Sequence, residues 1–147
     1  MSSTHSSLHY HLVFSTKHRE AIIDRDWRAE LHSYLGGAVK GLDGHPEGIG
    51  GTADHVHLLV ALKPAACLSD FMRELKKASS IWAGESRCPG FQWQEGYAAF
   101  TVSASAREAV RSYIANQENH HRVKSFREEL VEFLTKSGVP FNPMYLD

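Results

Sequence analysis

The chain has 147 residues, 42% of them hydrophobic and 22% charged, and a formal net charge of −1. That length suits one domain with a real core rather than two. The near-neutral balance excludes a protein-wide basic field, so nucleic acid would have to be met through local patches, and no run of about 18 apolar residues offers a membrane span. The opening MSSTHSSLHYHLVF lacks a basic segment followed by an apolar one, so a cytoplasmic protein with no membrane partner is expected. Cys67 and Cys88 lack metal-site spacing and read as reduced thiols. Ten histidines is a high count; His5, His18, His32 and His45 stand in no pattern.

In chain order, Leu8 to Thr16 (LHYHLVFST) alternates and is rich in β-formers, which predicts a strand. From Asp24 to about Leu42, Trp27, Leu31, Tyr34, Leu35, Ala38 and Leu42 recur at helical spacing, with Asp24 as N-cap and Gly41 and Gly44 at the exit. The turn-rich HPEGIGGTADH leaves room for a short strand around Glu47 to Gly50. A strand follows from His55 to Leu62, stopped by Pro64. Leu68, Phe71, Met72, Leu75, Ala78 and Trp82 form one apolar stripe, a second amphipathic helix. FQWQEGYAAFTVS reads as one or two strands with a turn at Glu95-Gly96. A third helix is predicted from Ser105 to about Arg122, with Ala106, Val110 and Ile114 on its core side, then a short amphipathic helix in SFREELVEFLTKSG. The tail, from about residue 136, is irregular, and the whole of 1–147 reads as a single domain.

The order β-α-β-β-α-β-α plus a tail helix is the split βαβ, ferredoxin-like (RRM-like) α+β arrangement: an antiparallel sheet with helices on one face and an additional C-terminal helix. The opposite sheet face, or one end of it, is left to host a site.

GGTADHVHLLVAL puts two histidines on a strand that would otherwise be ordinary. Residues i and i+2 of a strand share a face, roughly 6.5 Å apart. His55 and His57 therefore project together, while Val56, Leu58 and Val60 face the core. Two neutral imidazoles so placed can chelate one metal ion; an HxH pair alone is equally a polar strand face. In VRSYIANQENHH, Tyr113 and Gln117 are four apart and share a helical face, with His120 and His121 one turn further on. Tyr113 borders the core stripe, where a half-buried packing tyrosine with a wet hydroxyl is also common.

Together, DHVHLL, FQWQEGYAAFTVS and YIANQENHH resemble the small single-tyrosine HUH transposases of the IS200/IS605 type, over about residues 8 to 135. YHLVFSTKHR is similar to that family's first strand and its exit. The resemblance implies Tyr113 as nucleophile and His55, His57 and Gln117 as ligands of a divalent metal, Mg²⁺ or Mn²⁺. It implies cleavage and rejoining of single-stranded DNA at element ends marked by imperfect hairpins, through a 5′-phosphotyrosine and a free 3′-OH. It also implies a homodimer, with the Tyr113 helix of one subunit serving the histidine pair of the other. The chemistry suits the residue types: a tyrosine hydroxyl can attack a phosphodiester and conserve its bond energy, and a phenol with an ordinary pKa of about 10 needs help at neutral pH. Lys17 and Arg19, leaving the first strand, and Arg73, Lys76 and Lys77, on the polar side of the second helix, are candidate phosphate contacts; Trp93 and Tyr97 are candidate base-stacking residues, with core packing the favoured place for Trp93. Two other readings use the same residues: a hairpin-binding protein that moves nothing, and a phosphoesterase in which the histidines activate water.

Overall fold

The computed structural model of the chain describes residues 3–145. Four strands, β1 (His9–Ser15), β2 (His45–Gly51), β3 (His55–Ala61) and β4 (Ala98–Val102), form one antiparallel sheet in the order β2-β3-β1-β4. Helix α1 (Arg25–Gly41) links β1 to β2, and α2 (Leu68–Ser86) links β3 to β4. Each helix crosses over a strand that lies between the two it joins, which is the split βαβ topology predicted from the element order.

Period-2 alternation sorts the sheet into two faces. Leu12 and Phe14 of β1 and Val56, Leu58 and Val60 of β3 meet Leu31, Leu35 and Val39 of α1 and Phe71, Met72 and Leu75 of α2 in the main core. Trp93 belongs to this core and not to a base-stacking surface: its ring packs edge-on against Phe14, and its Nε1–H donates to Ser79 Oγ at 2.9 Å. Asp24 occupies the N-cap position of α1 without a side-chain capping bond. Of the segment FQWQEGYAAFTVS, only Ala98–Val102 is a strand, with Trp93 joined to Thr16 by an isolated bridge.

The opposite face carries His9, His11, Val13, His55, His57 and Leu59, since the register pairs His11 with Leu59 and Val13 with His57. It is not left open. Three C-terminal helices, α3 (Arg107–Ala115), α4 (Gln117–His120) and α5 (Phe126–Lys136), lie over it, and His55 and His57 are completely buried. The single third helix expected to run to about Arg122 breaks at Asn116, whose φ/ψ of −102/22 is non-helical. Cys67 and Cys88 are free, and no helix among the described residues is long and apolar enough to cross a membrane.

Candidate active site

Helix α3 is held on the sheet by contacts to the edge strand β2. Glu47, 8% exposed, accepts from Arg107 Nε at 2.7 Å and pairs with His9 Nδ1 at 2.5 Å. Arg111 Nε donates to the Glu47 carbonyl at 2.9 Å. Burial pushes the Glu47 carboxyl up, but the hydrogen bonds from Arg107 and His9 outweigh it and hold the group below its usual range. A second small core of Leu59, Val102 and Ile114 closes under the helix, with Val110 and Tyr113 at its edge. These contacts place the half-buried Tyr113 ring 5.8 Å from that of His57 in the same chain.

The break at Asn116 lets the chain turn inward, so that Gln117 is buried, 1% exposed. Its Oε1 lies 3.1 Å from His55 Nε2 and 3.0 Å from His121 Nε2. Ser125 caps α5 by accepting from the Glu128 N–H. The inner face of α5 then crosses the histidine face in order: Phe126 stacks on His55, Glu129 meets His57, and Phe133 meets His11 edge-on.

Glu129, 1% exposed, is the centre of the arrangement. It accepts from His57 Nε2 at 2.9 Å and from the Tyr113 hydroxyl, and it lies 3.3 Å from both His120 Nε2 and His121 Nε2. The Tyr113 hydroxyl also meets His120 Nε2 at 3.3 Å. Burial would push the Glu129 carboxyl up; the hydrogen bonds from His121, His57 and Tyr113 overcome that and hold it far below the carboxylate range. Burial, helped by the Glu129 charge, pushes the Tyr113 phenol well above its usual value. Burial lowers His57 to about 4, against the pull of Glu129. For His121, burial works downward, but the hydrogen bond to Glu129 prevails and raises it. A second neighbour steadies His57: its Nδ1 lies 2.8 Å from His11 Nε2, and burial lowers His11 itself to about 3.

The fold thus brings four sequence-predicted residues, His55, His57, Tyr113 and Gln117, into one buried cluster. It adds three that the sequence reading did not select: His11, His121 and Glu129. Each left a trace. His9-Tyr10-His11 is itself an HxH, on the strand that pairs with β3. His121 lies one turn beyond Gln117. Glu129 interrupts the apolar stripe of Phe126, Leu130 and Phe133. On one side Tyr113 and His120 open to a surface groove lined by Ser112, Asn116 and Asn119.

The predicted phosphate contacts lie elsewhere. Lys17, Lys76 and Lys77 line a groove at the exit of β1 together with Gln92 and Gln94. Lys76 is committed to the carbonyls of Gln94 (2.7 Å) and Gly96 (2.5 Å). Lys17 donates to Gln92 Oε1 at 3.1 Å. Arg73 is paired with Asp70 and Glu74 on the surface of α2. Arg19 adopts a left-handed backbone, φ 51°, and Tyr97 is 41% exposed.

The family described as transposase IS200 like matches residues 4–117. The ISDra2 transposase TnpA of Deinococcus radiodurans is 28% identical over 127 residues, covering 76% of this chain and 85% of that protein. A crystal structure of a transposase from Deinococcus radiodurans superposes with a TM-score of 0.66 at 26% identity, over 80% of this chain and 95% of the other. A REP-associated tyrosine transposase, in a structure bound to a REP hairpin, shares the fold: TM-score 0.57, 14% identity, 78% of this chain and 70% of that one.

Proposed function

Because the chain belongs to the IS200-like transposase family, we propose that it cleaves and rejoins single-stranded DNA at the ends of an insertion element, with Tyr113 as nucleophile. The observation that carries this reading is the shared carboxylate: Glu129 bonds both the Tyr113 hydroxyl and His57, so the nucleophile and the HxH pair form one site.

In the proposed reaction the Tyr113 oxygen attacks a DNA phosphorus approached through the groove beside Ser112 and Asn116. The Tyr113 O–P bond forms, the P–O3′ bond breaks, and a 5′-phosphotyrosine and a 3′-OH result. The bond energy is retained for rejoining. His55, His57 and Gln117 are the residues to hold a divalent metal, and their donor set fits one: two imidazoles and an amide oxygen, buried and converging. A metal bound there would supply positive charge to hold a nonbridging phosphate oxygen and polarise phosphorus. The chain's own residues position the nucleophile: the Glu47 contacts fix α3, and Glu129 orients the hydroxyl while the buried setting keeps it neutral until the site is loaded. The exposed Lys77, with Lys17 beside it, supplies phosphate contacts, whereas Lys76 orders the loop before β4. The substrate we infer is a DNA hairpin at the element end; the hairpin-bound relative supports that choice by its shared fold. We also infer a homodimer in which α3–α5 are exchanged, making the same contacts in trans; the helices join the sheet through the short turn Ala104–Ala106.

The test is a covalent-adduct assay on labelled single-stranded DNA with Mn²⁺ present. Wild type is expected to cleave and to form an SDS-resistant protein–DNA species. Tyr113→Phe should stay folded and lose both. Cleavage by Tyr113→Phe at the normal rate would overturn the nucleophile and leave a water-activating phosphoesterase. Hairpin binding by wild type without any cleavage would leave a binding protein.

A further inference from the structure

Within the reading that the HxH pair and Gln117 hold a metal, we propose that His121 and Glu129 complete the centre, and that the resulting three imidazoles and one carboxylate, beside the Gln117 amide oxygen, select a first-row transition-metal ion over Mg²⁺. The first support is a repeated construction. His55 Nδ1 is tied outward to Asp54 Oδ1 (2.7 Å), His57 Nδ1 to His11 Nε2 (2.8 Å), and His121 Nδ1 to the Lys124 carbonyl (2.7 Å). All three Nε2 atoms therefore turn to the same interior point. Metal-binding histidines are held this way, with the far nitrogen fixed by an outer partner. A histidine that merely closed the turn before α5 would need only the Lys124 bond.

The second support is Glu129. A carboxylate buried on an apolar helix stripe is strongly unfavourable unless cations or strong donors surround it. Here it faces His57 and His121. One donor atom from each of His55, His57, His121 and Glu129 lies within 4.8 Å of the others. Ligands about 2.1 Å from a shared ion stand roughly 3 to 4.2 Å apart, so a pair at the 4.8 Å limit must close by about 0.6 Å or more, which side-chain rotation supplies. His120 stays outside it, bonded to Tyr113.

The third support is donor chemistry. Mg²⁺ favours oxygen ligands and keeps its waters. Imidazole favours Fe, Zn, Ni and Cu, and Mn²⁺ accepts both imidazole and carboxylate. A site built on His55, His57 and Gln117 alone would be two-thirds nitrogen and neutral. Adding His121 and Glu129 raises the imidazole count to three and brings in the one anionic ligand.

The experiment uses the full chain, stripped of metal, with Mn²⁺ as probe and Mg²⁺ as competitor, at fixed pH and without DNA. Wild type is expected to bind Mn²⁺ at least ten-fold more tightly than Mg²⁺, and pulsed electron paramagnetic resonance of bound Mn²⁺ should show nitrogen couplings from three imidazoles. Glu129→Gln and His121→Gln should each weaken Mn²⁺ binding at least ten-fold by calorimetry, with His121→Gln reducing the imidazole count to two. Unchanged Mn²⁺ affinity in both variants, alongside loss of binding in His57→Ala, would overturn this inference and leave the HxH reading intact. Unchanged affinity in His57→Ala as well would overturn both. Two imidazoles in the wild-type spectrum, or displacement of Mn²⁺ by equal Mg²⁺, would overturn the proposal without recourse to any variant.

Discussion

Gly50→Ala offers a test of how α3 is placed, because the obstacle the new methyl group would meet is backbone. A Cβ built on Gly50 falls 2.1 Å from the Ile114 carbonyl oxygen, 3.0 Å from its carbonyl carbon and 3.1 Å from its Cγ2. Carbon–oxygen contacts begin at about 3.3 Å, so the two elements must separate by roughly 1 Å; no rotamer change relieves it. The helix cannot simply drift, since Arg107 and Arg111 bind it to Glu47 two turns and one turn before the clash, and Ile114 closes the small core with Leu59 and Val102. Overpacking of this kind costs about 1–3 kcal/mol, which for a chain of this size lowers Tm by roughly 3–10 °C. Tyr113 precedes Ile114 and moves with it, and a misplacement of about 1 Å in a reacting group can cost about 100-fold in rate. Thermal denaturation and single-turnover cleavage of single-stranded DNA measure the two effects. Gly48→Ala is the matched control: its Cβ meets Arg111 Cγ at 3.5 Å, Leu59 Cβ at 3.9 Å and Arg111 Cα at 4.0 Å, all ordinary van der Waals contacts, so both readouts should stay near wild type. A Gly50→Ala protein that melts and cleaves like wild type would refute the close docking of α3 on β2.

Two further outcomes are expected. Glu47→Gln should lower stability by about 1–3 kcal/mol at neutral pH, because Arg107 and His9 lose a buried charged acceptor. The Glu47 carboxyl is held below its unfolded value, so its contribution is present above about pH 4.3 and is lost as pH falls through the folded value; urea titrations should therefore show a shallower acid loss of stability in Glu47→Gln, and an unchanged acid limb would refute the Glu47–Arg107 coupling. For the exchanged homodimer, mixing His57→Ala subunits with Tyr113→Phe subunits, each inactive alone, should restore cleavage at one site per heterodimer. A silent mixture with heterodimers verified by two affinity tags would show that each site is built within one chain.

How much of this was legible in the sequence follows from the range of each interaction. Parity along one strand is enough to put His55 and His57 on a common face and Val56 on the other, and the spacing of Tyr113 and Gln117 is enough to put them on one side of a helix. Helices α1 and α2 announce themselves by apolar stripes. The break at Asn116 was not legible, since no Gly or Pro marks it and the polar run from Asn116 to Arg122 fits the solvated face of a continuing helix; the inward turn exists because Gln117 has His55 and His121 to bond. Charge patterning likewise could not tell that the Lys76 ammonium reaches two carbonyls before β4, or that Trp93 has a buried hydroxyl partner. These are long-range contacts between residues whose neighbours in sequence carry no hint of them.

Glu129 shows the limit most clearly, and also the way past it. Sixteen residues beyond Tyr113, on a helix whose inner side also carries Phe126, Leu130, Phe133 and Leu134, it is a charge where the helical period calls for an apolar side chain. On a free helix that position would be tolerated only if it faced water. Its burial is possible because β3 and α4 have already placed His57 and His121 opposite it, and the docking of α5 is what brings the carboxylate to them. The contacts that close the C-terminal helices over the sheet are therefore the same contacts that assemble the site: His57, His121 and Tyr113 gain their common partner only when α5 seats, and α5 loses the justification for its buried charge when they are absent. A polar residue on an apolar stripe, read together with histidines of matching parity on distant strands, is the sequence signal such a site leaves.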